Sequence, residues 1–439
     1  MVNRYLLRSA FAGALGGLLF GFDTAVIAGT TTTVASTFSL NPRQLGVTVA
    51  AALVGAVIGA VFSGYPGERW GRRDSLRLLA LLYLVSSLGC AFVWNWPALL
   101  FFRVIGGLGI GGSSVLSPMY IAEMAPARLR GRLVSLFQIN VVGGVLLAYF
   151  SNYLIGLLHM GLREWRWELG VSAIPAAAFF ATLFGIPRSA RWLVSRSRLD
   201  EARQALRMIG SPDSEREIAE IAASIHFERS SEPLFQVRYL YPIFLAVVTG
   251  VFNQLSGVNA VIYYLNDIFA RAGFSRTSGN LGAVAVGATN FVFTMVGMAL
   301  IDKLGRKALL LLGCAGLSAC MSGVFYVFWS HHGQSLLVWL LMAYMACFAL
   351  SQGVIVWLYI GEIFPTRVRA KGQSLGSSAH WIMNAVISGV FPALAARSGA
   401  YPFLFFGAMM AVQFFIVLFF FPETKNVSLE EMQRRLKIG

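Results

Sequence analysis

Charged side chains are scarce in this chain, and their scarcity excludes a soluble protein. They make up 13% of the 439 residues, about half the usual share in soluble domains, whereas 57% of the residues are hydrophobic. The mean hydropathy is +0.67. A soluble protein of this length must cover a large wetted surface, and this composition cannot supply it. We therefore predict an integral membrane protein.

Cysteine is also rare, and the sequence motifs of metal and redox sites are missing. No Cys-x-x-Cys and no His-Glu-x-x-His occurs, and no nucleophile–base pattern is present. The cysteines lie in apolar stretches, which is typical of small buried side chains. We predict no metal, no cofactor and no enzyme activity. The four positions are Cys90, Cys314, Cys320 and Cys347.

The net charge of +15 could indicate a nucleic-acid-binding protein. The distribution of the charge argues against this, because the basic residues cluster between the hydrophobic stretches. Such clustering is typical of the cytoplasmic loops of membrane proteins. We predict a lipid bilayer, and no nucleic acid, as the surroundings of this chain.

Twelve apolar stretches are long enough to span a membrane, which requires about 20 residues each. The first continues past Asp23 to about Phe38, so it is a membrane helix rather than a cleaved leader. One long polar segment, 188–238, separates six stretches from six, and its amphipathic spacing predicts short cytoplasmic helices. The stretches centre near Leu19, Val54, Val85, Gly109, Val142, Ala176, Asn253, Thr294, Leu317, Phe348, Val386 and Phe415.

The loops differ strongly in positive charge. If the N-terminus is inside, inner loops and tails carry 28 Lys and Arg residues and outer loops carry 6. The positive-inside rule then predicts a multi-pass protein of the inner (plasma) membrane with both termini in the cytoplasm.

The two halves of the chain repeat each other. Residues 120–130 (YIAEMAPARLR) match residues 359–369 (YIGEIFPTRVR) without a gap, and residues 67–73 match residues 301–307. We predict an N-terminal six-helix bundle at 1–187, a linker of cytoplasmic helices at 188–238, a C-terminal six-helix bundle at 239–422 and a cytoplasmic tail at 423–439. Parallel repeats of this kind place a substrate site near the midplane, between bundles that rock against each other.

Several motifs occur in a specific order along these spans. They include Gly-x-Arg-x-Gly-Arg-Arg at 67–73, Asp-x-x-Gly-Arg-Lys at 302–307, Glu-x-x-Pro-x-x-x-Arg at 123–130 and 362–369, Gln-x-x-Gly-x-Asn at 254–259 and Pro-Glu-Thr-Lys at 422–425. Over essentially its whole length the chain resembles the sugar porter family of the major facilitator superfamily. Residues 22–24 and 117–123 are most similar to its bacterial proton-coupled xylose and glucose symporters. The resemblance implies an all-α membrane protein with the major facilitator fold, in which twelve transmembrane helices form two six-helix bundles.

Four positions depart from the family pattern. Asn253 stands where the family usually has the first Gln of a pair, Val354 replaces a Pro, and His380 replaces a Gln or Asn. Residues 187–191 read Pro-Arg-Ser-Ala-Arg instead of Pro-Glu-Ser-Pro-Arg, which removes an acid from the cytoplasmic side.

Asp23 and Arg103 are the formal charges that we place well inside spans. A charge at a helix centre costs roughly 2.5–3.5 kcal/mol to insert, which favours a functional role. Protonation of Asp23 would release Arg103, so we predict that the pair couples transport to protons. A static structural ion pair is the alternative.

Neutral amides in spans suit a sugar, because each amide can donate to and accept from hydroxyl groups. On an ideal helix Gln254 and Asn259 lie about 140° apart, so they converge only if the helix breaks at Ser256–Gly257. The alternative role for these amides is hydrogen bonding between helices. With the family pattern, we predict that substrate is bound by Gln138, Asn253, Gln254, Asn259, Asn290, Trp357, His380 and Asn384.

Charged residues and glycines also repeat at the cytoplasmic ends of the spans. The alternative role of these residues is to determine membrane topology and to contact lipid headgroups. The repeated acids among arginines favour salt bridges that hold a cytoplasmic gate. The predicted gate consists of Gly71, Arg72, Arg73, Glu123, Arg130, Gly305, Arg306, Glu362 and Arg369.

The sequence thus predicts a proton-coupled symporter for a monosaccharide, a pentose or a hexose, that works by alternating access as a monomer. Its ligands would be the sugar and a proton. The alternatives are an uncoupled facilitative transporter of a sugar or polyol and a transporter-like sugar sensor. A sensor would need a signalling appendage, and 17 residues follow Pro422.

Overall fold

The computed structural model describes residues 3–126, 128–211, 213–228, 232–365, 367–427, 429–436 and 438, and throughout these ranges the regular elements are helices. Residues 212 and 229–231 of the predicted linker, and 428, 437 and 439 of the predicted tail, lie outside the described residues.

Among the described residues, the first half of the chain contains eight α-helices. They are α1 (Arg4–Phe38), α2 (Pro42–Phe62), α3 (Gly64–Arg69), α4 (Arg72–Phe92), α5 (Trp96–Met124), α6 (Arg130–Gly156), α7 (Glu164–Gly170) and α8 (Ala173–Thr182). Three shorter helices follow in the polar segment, namely α9 (Ala190–Ser195), α10 (Leu199–Met208) and α11 (Ser214–Glu228).

In the described part of the second half there are ten further α-helices. They are α12 (Leu240–Leu255), α13 (Val258–Tyr263), α14 (Leu265–Arg271), α15 (Arg276–Leu304), α16 (Arg306–Ser330), α17 (Leu336–Leu350), α18 (Gln352–Glu362), α19 (Arg369–Arg397), α20 (Tyr401–Phe420) and α21 (Leu429–Arg435).

Eleven helical segments of the described chain are long and apolar enough to cross a membrane. They correspond to eleven of the twelve predicted spans. The stretch around Ala176 differs, because α7 ends at Gly170 and α8 begins at Ala173. Ser172 lies at this interruption, and its hydroxyl donates to the Leu169 carbonyl and bonds the Ser87 hydroxyl of α4. The sixth span is therefore built from two short helices.

The chain divides into two compact units, and each is assembled from three separate segments. The first unit contains Met1–Asp23, Ala51–Ala148 and Arg166–Ser231. The second contains Thr24–Ala50, Tyr149–Trp165 and Glu232–Gly439. One end of α1 and one end of α6 thus pack with the second half of the chain. The domain boundaries predicted from the sequence stay a prediction.

Within the first unit, small residues let helices α2 and α5 approach closely. A Cβ atom on Gly107 would lie 2.0 Å from the carbonyl oxygen of Ala52, and one on Gly111 would lie 2.0 Å from that of Ala56. Helix association inside a membrane depends on such close packing, because lipid removes the hydrophobic driving force between helices. A larger residue at either glycine would force these helices apart.

The sequence repeat is visible in the local backbone. Gly71 precedes α4 with φ = 91°, and Gly305 precedes α16 with φ = 91°. Glycine adopts this left-handed region readily, whereas side chains disfavour it. The two copies of the motif therefore form the same turn into a helix.

Candidate functional site

The two charges that we placed inside spans form an ion pair in the first unit. The Arg103 Nη1 atom of α5 lies 3.0 Å from Oδ1 of Asp23 in α1. The side chains are 5% and 15% exposed, respectively. A pair so shielded from water is sensitive to loss of either charge, because the remaining charge is then buried without compensation.

A third buried charge lies in the first unit and was missed by our sequence reasoning. Glu168 of α7 is fully buried. It lies one helical turn before Ser172, whose hydroxyl bonds Ser87 of α4. Sequence reasoning missed Glu168 because it follows the basic, polar run 163–167, which resembles a loop rather than a membrane span.

The seventh span is broken between Gln254 and Asn259, where a break is needed for these two amides to face the same cavity. Helix α12 ends at Leu255, Gly257 has φ = 85°, and α13 begins at Val258. A Cβ atom on Gly257 would lie 2.4 Å from the ring of Phe406. Glycine therefore meets both a conformational and a steric requirement at this break.

The break brings the amides of α12 and α13 together. Asn259 Nδ2 donates to Gln254 Oε1 at 3.0 Å, and Gln254 Nε2 donates to Asn253 Oδ1 at 3.0 Å. Gln254 is fully buried, Asn253 is 4% exposed, and Asn259 is partly exposed. In this row of amides, Asn253 and Gln254 are thus enclosed by the protein, whereas Asn259 is accessible.

His380 of α19 joins this row of amides. Its ring nitrogens Nε2 and Nδ1 lie 3.1 and 3.3 Å from Gln254 Nε2, so one of them can accept a hydrogen bond from that amide. The ring centroid is 4.9 Å from that of Trp357 in α18. The indole of Trp357 is 41% exposed and can cover the apolar face of a sugar ring.

Asn384 lies one turn after His380 on α19 and makes separate contacts. Its Nδ2 atom is 3.4 Å from the hydroxyl of Tyr263, and its Oδ1 atom accepts a hydrogen bond from Ser388 at 3.0 Å. Tyr263 was not among the predicted residues, because a tyrosine in an apolar span gives no distinct sequence signal.

Among the described residues, no hydrogen bond joins two of the predicted substrate residues, Asn290 and Gln138, to this cluster. Asn290 of α15 is buried, and its Oδ1 atom lies 3.5 Å from the Thr294 hydroxyl. Gln138 lies in α6 and belongs to the first unit. Their predicted roles stay predictions.

Two of the predicted gate residues of the first unit, Arg72 and Glu123, pair with each other. Arg72 Nε lies 3.0 Å from Glu123 Oε1, and the Ser189 hydroxyl also bonds the Glu123 carboxylate. Arg73 pairs with Asp74 at 3.0 Å and donates to the carbonyl of Ile186 at 3.1 Å. These contacts join α4, α5 and the segment before α9.

The second unit repeats the arrangement with different neighbours. Arg306 Nη2 lies 2.9 Å from Glu362 Oε1, and Arg306 Nη1 lies 3.0 Å from Asp302. The Thr424 hydroxyl donates to Glu362 Oε2 at 2.5 Å. The second arginines of the repeat begin the equivalent helices, Arg130 at α6 and Arg369 at α19.

Glu423 caps the N-terminus of α16 in this cluster. Its carboxylate accepts hydrogen bonds from the backbone N–H groups of Arg306 and Lys307, each at 3.0 Å. Burial alone would raise the pKa of Glu423, but these and other backbone N–H groups outweigh it and lower the pKa. Glu423 therefore keeps its negative charge at the positive end of the helix dipole.

Across the described part of the chain, no group of three or more His, Cys, Asp or Glu residues could hold a metal ion. Cys90, Cys314, Cys320 and Cys347 are free thiols.

Comparison with known proteins matches nearly the whole chain to one family. The family model described as "Sugar (and other) transporter" matches residues 9–436. The D-xylose-proton symporter of Escherichia coli (strain K12) is 33% identical over 98% of this chain and 96% of that protein. The arabinose-proton symporter of Bacillus subtilis (strain 168) is 34% identical over 98% of this chain and 95% of that protein.

The protein belongs to the sugar transporter family. A solved inward-open structure of the E. coli xylose transporter is 32% identical, covers 98% of this chain and all of its own, and superposes with a TM-score of 0.88. The fold is therefore the twelve-helix major facilitator fold. The predicted family and fold class are confirmed, as is the prediction of a multi-pass membrane protein. Proteins of this family transport sugars and are not enzymes.

The structure of this sugar transporter shows what two departures from the family pattern do. Arg188 stands where the family has an acid, and its guanidinium lies 2.9 Å from Asp74. Val354 replaces a proline, yet the tenth span still breaks at Ser351, between α17 and α18. The hydroxyl of Ser351 donates to the carbonyl of Cys347 at 2.6 Å, so a side chain satisfies a backbone group near the break.

Proposed function

We propose that this sugar transporter is a symporter that moves one monosaccharide, a pentose or a hexose, together with a proton by alternating access. Relatives of this chain are named as proton symporters of xylose, arabinose and galactose. The proposal extends their activity to this protein and assigns proton binding, sugar binding and the cytoplasmic gate to particular residues.

The observation that carries the proposal is the buried pair of Asp23 and Arg103. An uncoupled sugar carrier has no need of an ionisable carboxylate inside its bundle, and such a charge is costly to keep there. Protonation of Asp23 would remove the attraction that holds Arg103 at 3.0 Å. Proton binding can therefore change the packing of α1 against α5, which is a step that alternating access can use.

The row of amides in α12 and α13 is the proposed binding site for the sugar. Asn253, Gln254 and Asn259 bond one another, and a ring nitrogen of His380 can accept from Gln254. A sugar hydroxyl can exchange for any of these bonds, because amides and neutral imidazole both donate and accept. We assign substrate binding to these residues and to Trp357, with Gln138, Asn290 and Asn384 completing the site.

We infer the orientation from the positive charges of the loops. With the N-terminus inside, both ends, the polar segment 188–238 and the paired clusters of Arg72–Glu123 and Arg306–Glu362 lie in the cytoplasm. The proposed domains are the bundles 1–187 and 239–422, the linker 188–238 and the tail 423–439. We propose that the protein works as a monomer in the inner membrane, with the paired clusters as its cytoplasmic gate.

The test is uptake of a panel of labelled pentoses and hexoses into proteoliposomes that contain the purified full chain. With an inward proton gradient, we expect at least one sugar to accumulate above its outside concentration, and an ionophore that collapses the gradient should abolish this accumulation. Equal sugar concentrations inside and outside, with or without the gradient, would identify an uncoupled facilitator. No uptake of any sugar or polyol would contradict the transport function itself.

A further inference from the structure

The second unit contains a polar contact region where one end of α1, the start of α7 and the helices α14 and α15 meet. Arg276 of α15 lies 2.9 Å from Glu164 of α7. Asn266 of α14 donates to Asn280 of α15 at 2.5 Å. By the proposed topology this region faces the extracellular side, since Arg271 and Arg276 belong to an outer loop.

Asp267 of α14 stands in this region in an unusual environment. Its Oδ2 atom is buried and receives no hydrogen bond from any described residue. The carboxyl group shares a hydrogen bond with the Thr31 side chain of α1, and Thr31 is 1% exposed. A carboxylate that is buried with an unpaired oxygen is destabilised in its charged form.

The hydrogen bonds of Thr31 fit a protonated partner. Its hydroxyl donates to the carbonyl of Ala28 at 3.2 Å. A hydroxyl has a single proton to donate, so while this bond exists Thr31 can only accept from Asp267. The carboxyl group must then supply the proton of the bond. If Asp267 ionises, the hydroxyl has to leave the Ala28 carbonyl to pair with it.

The charged groups on the surrounding helices do not neutralise Asp267. Arg271, one turn further along α14, directs Nη1 to the carbonyl of Ala395 at 2.9 Å. On α15 the nearest cation in sequence, Arg276, pairs with Glu164. Helix α1 carries no charged residue after Asp23, and Arg397 at the end of α19 is exposed. Burial raises the pKa of Asp267 to about 6, although the charge of Arg271 lowers it in part.

We propose that Asp267 is a second proton-binding site, separate from Asp23, which takes up a proton from the extracellular solution when α14 closes against α1. The inference rests on the proposed transport function for its orientation. Proton uptake at Asp267 differs from the coupling of proton transport to sugar transport, because this proton returns to the extracellular side when the outer ends open. Extracellular acid would therefore hold the outer ends closed without changing the number of protons transported per sugar.

The expected size of this effect follows from linkage. A group that binds its proton more tightly in the closed state favours that state as the pH falls. If opening returns Asp267 to an ordinary value of about 3.9, the ratio of closed to open protein should rise about tenfold between pH 7 and pH 5. Above pH 7 the group is ionised in both states and the ratio becomes constant.

The first test is an infrared titration of the purified full chain, with Asp267→Asn as the reference spectrum. We expect a carboxyl band that is lost in Asp267→Asn and titrates between pH 5 and 7. Thr31→Val should move its midpoint downward, because the protonated carboxyl group then loses the hydroxyl that accepts its hydrogen bond. Asp213→Asn, which changes an exposed acid in the polar segment, should leave the band unchanged. If the band titrates near pH 4 or is absent, the proposal is wrong, whatever the chain transports.

The second test is sugar exchange in proteoliposomes at a fixed internal pH and varied external pH. Asp267→Asn imitates the protonated side chain, so exchange should be several-fold slower than in the wild type at pH 7.5 and equal to it at pH 5. Equal rates of the two proteins at both pH values would contradict the role of Asp267 in closing. Absence of exchange in the wild type would instead contradict the proposed transport function, and the infrared titration would still decide the proton site.

Discussion

Arg103 Nη1 lies 3.0 Å from Asp23 Oδ1, and the pair bridges α5 and α1 inside a bundle of membrane-spanning helices. Neither charge can be released without a proton or another partner, because a lone buried charge is strongly disfavoured. The geometry thus makes the protonation of Asp23 and the freedom of Arg103 a single event. The predictions below begin with this pair.

Replacing Asp23 with Asn should abolish uphill accumulation while leaving sugar exchange partly intact, since a permanently neutral side chain imitates the protonated acid. Coupling to one proton is worth about 2.3 kcal/mol per 100 mV, or roughly fortyfold accumulation. The variant should lose this factor in proteoliposomes under a membrane potential. If it still concentrates sugar at the wild-type rate, Asp23 is not the coupling site.

Gln254→Ala and Asn259→Ala should each weaken sugar binding about five- to over a hundredfold, since a lost hydrogen bond that strands its partner costs about 1–3 kcal/mol. The two amides bond each other at 3.0 Å, so the double variant should lose less than the sum of the single losses. Calorimetry with the transported sugar measures all three affinities. Unchanged binding in both single variants would exclude these amides from the site.

Glu123→Gln combined with Glu362→Gln should shift the resting population toward the inward-facing state, because each change weakens a bond to an arginine of the proposed cytoplasmic gate. A loss of about 1 kcal/mol at each pair would change the population roughly thirtyfold. Reaction rates of introduced cysteines at the cytoplasmic ends report the change. An unaltered pattern of reactivity would mean that the charges serve membrane topology alone.

His380→Gln should retain coupled transport with an altered order of sugar preference, because glutamine also donates and accepts and matches the common residue of the family. The ring now accepts from Gln254, and a glutamine oxygen can take over that bond. Transport of the sugar panel across external pH provides the comparison with wild type. Loss of coupled uptake with intact sugar binding would place His380 on the proton path instead.

Much of the fold could be predicted because the membrane imposes simple rules on sequence. Apolar length determines the spans, and the offset copies of residues 120–130 and 67–73 reveal the duplication. Even the break in span seven was predictable from local chemistry, because Gln254 and Asn259 share a cavity only if the helix turns at Gly257. The interruption between α7 and α8 was not, since Gly170 and Ser172 are ordinary residues in a span.

Buried polar residues near the ends of spans were the hardest to predict. Glu168 follows a run that includes Arg163, Glu164 and Arg166, so its composition resembles a loop, although the structure buries it fully. Asp267 likewise belongs to a polar connection by sequence, and only tertiary packing against Thr31 encloses its carboxyl group. Such environments depend on distant segments, which a single sequence does not bring together.

The most direct test of the account is the movement of protons when sugar is added. In proteoliposomes without an imposed gradient, sugar added outside should carry protons inward, and a trapped pH indicator should report acidification of the interior. Asp23→Asn should take up the same sugar without acidification. Sugar entry in the wild type with no change in internal pH would contradict the central claim that this protein couples the two fluxes.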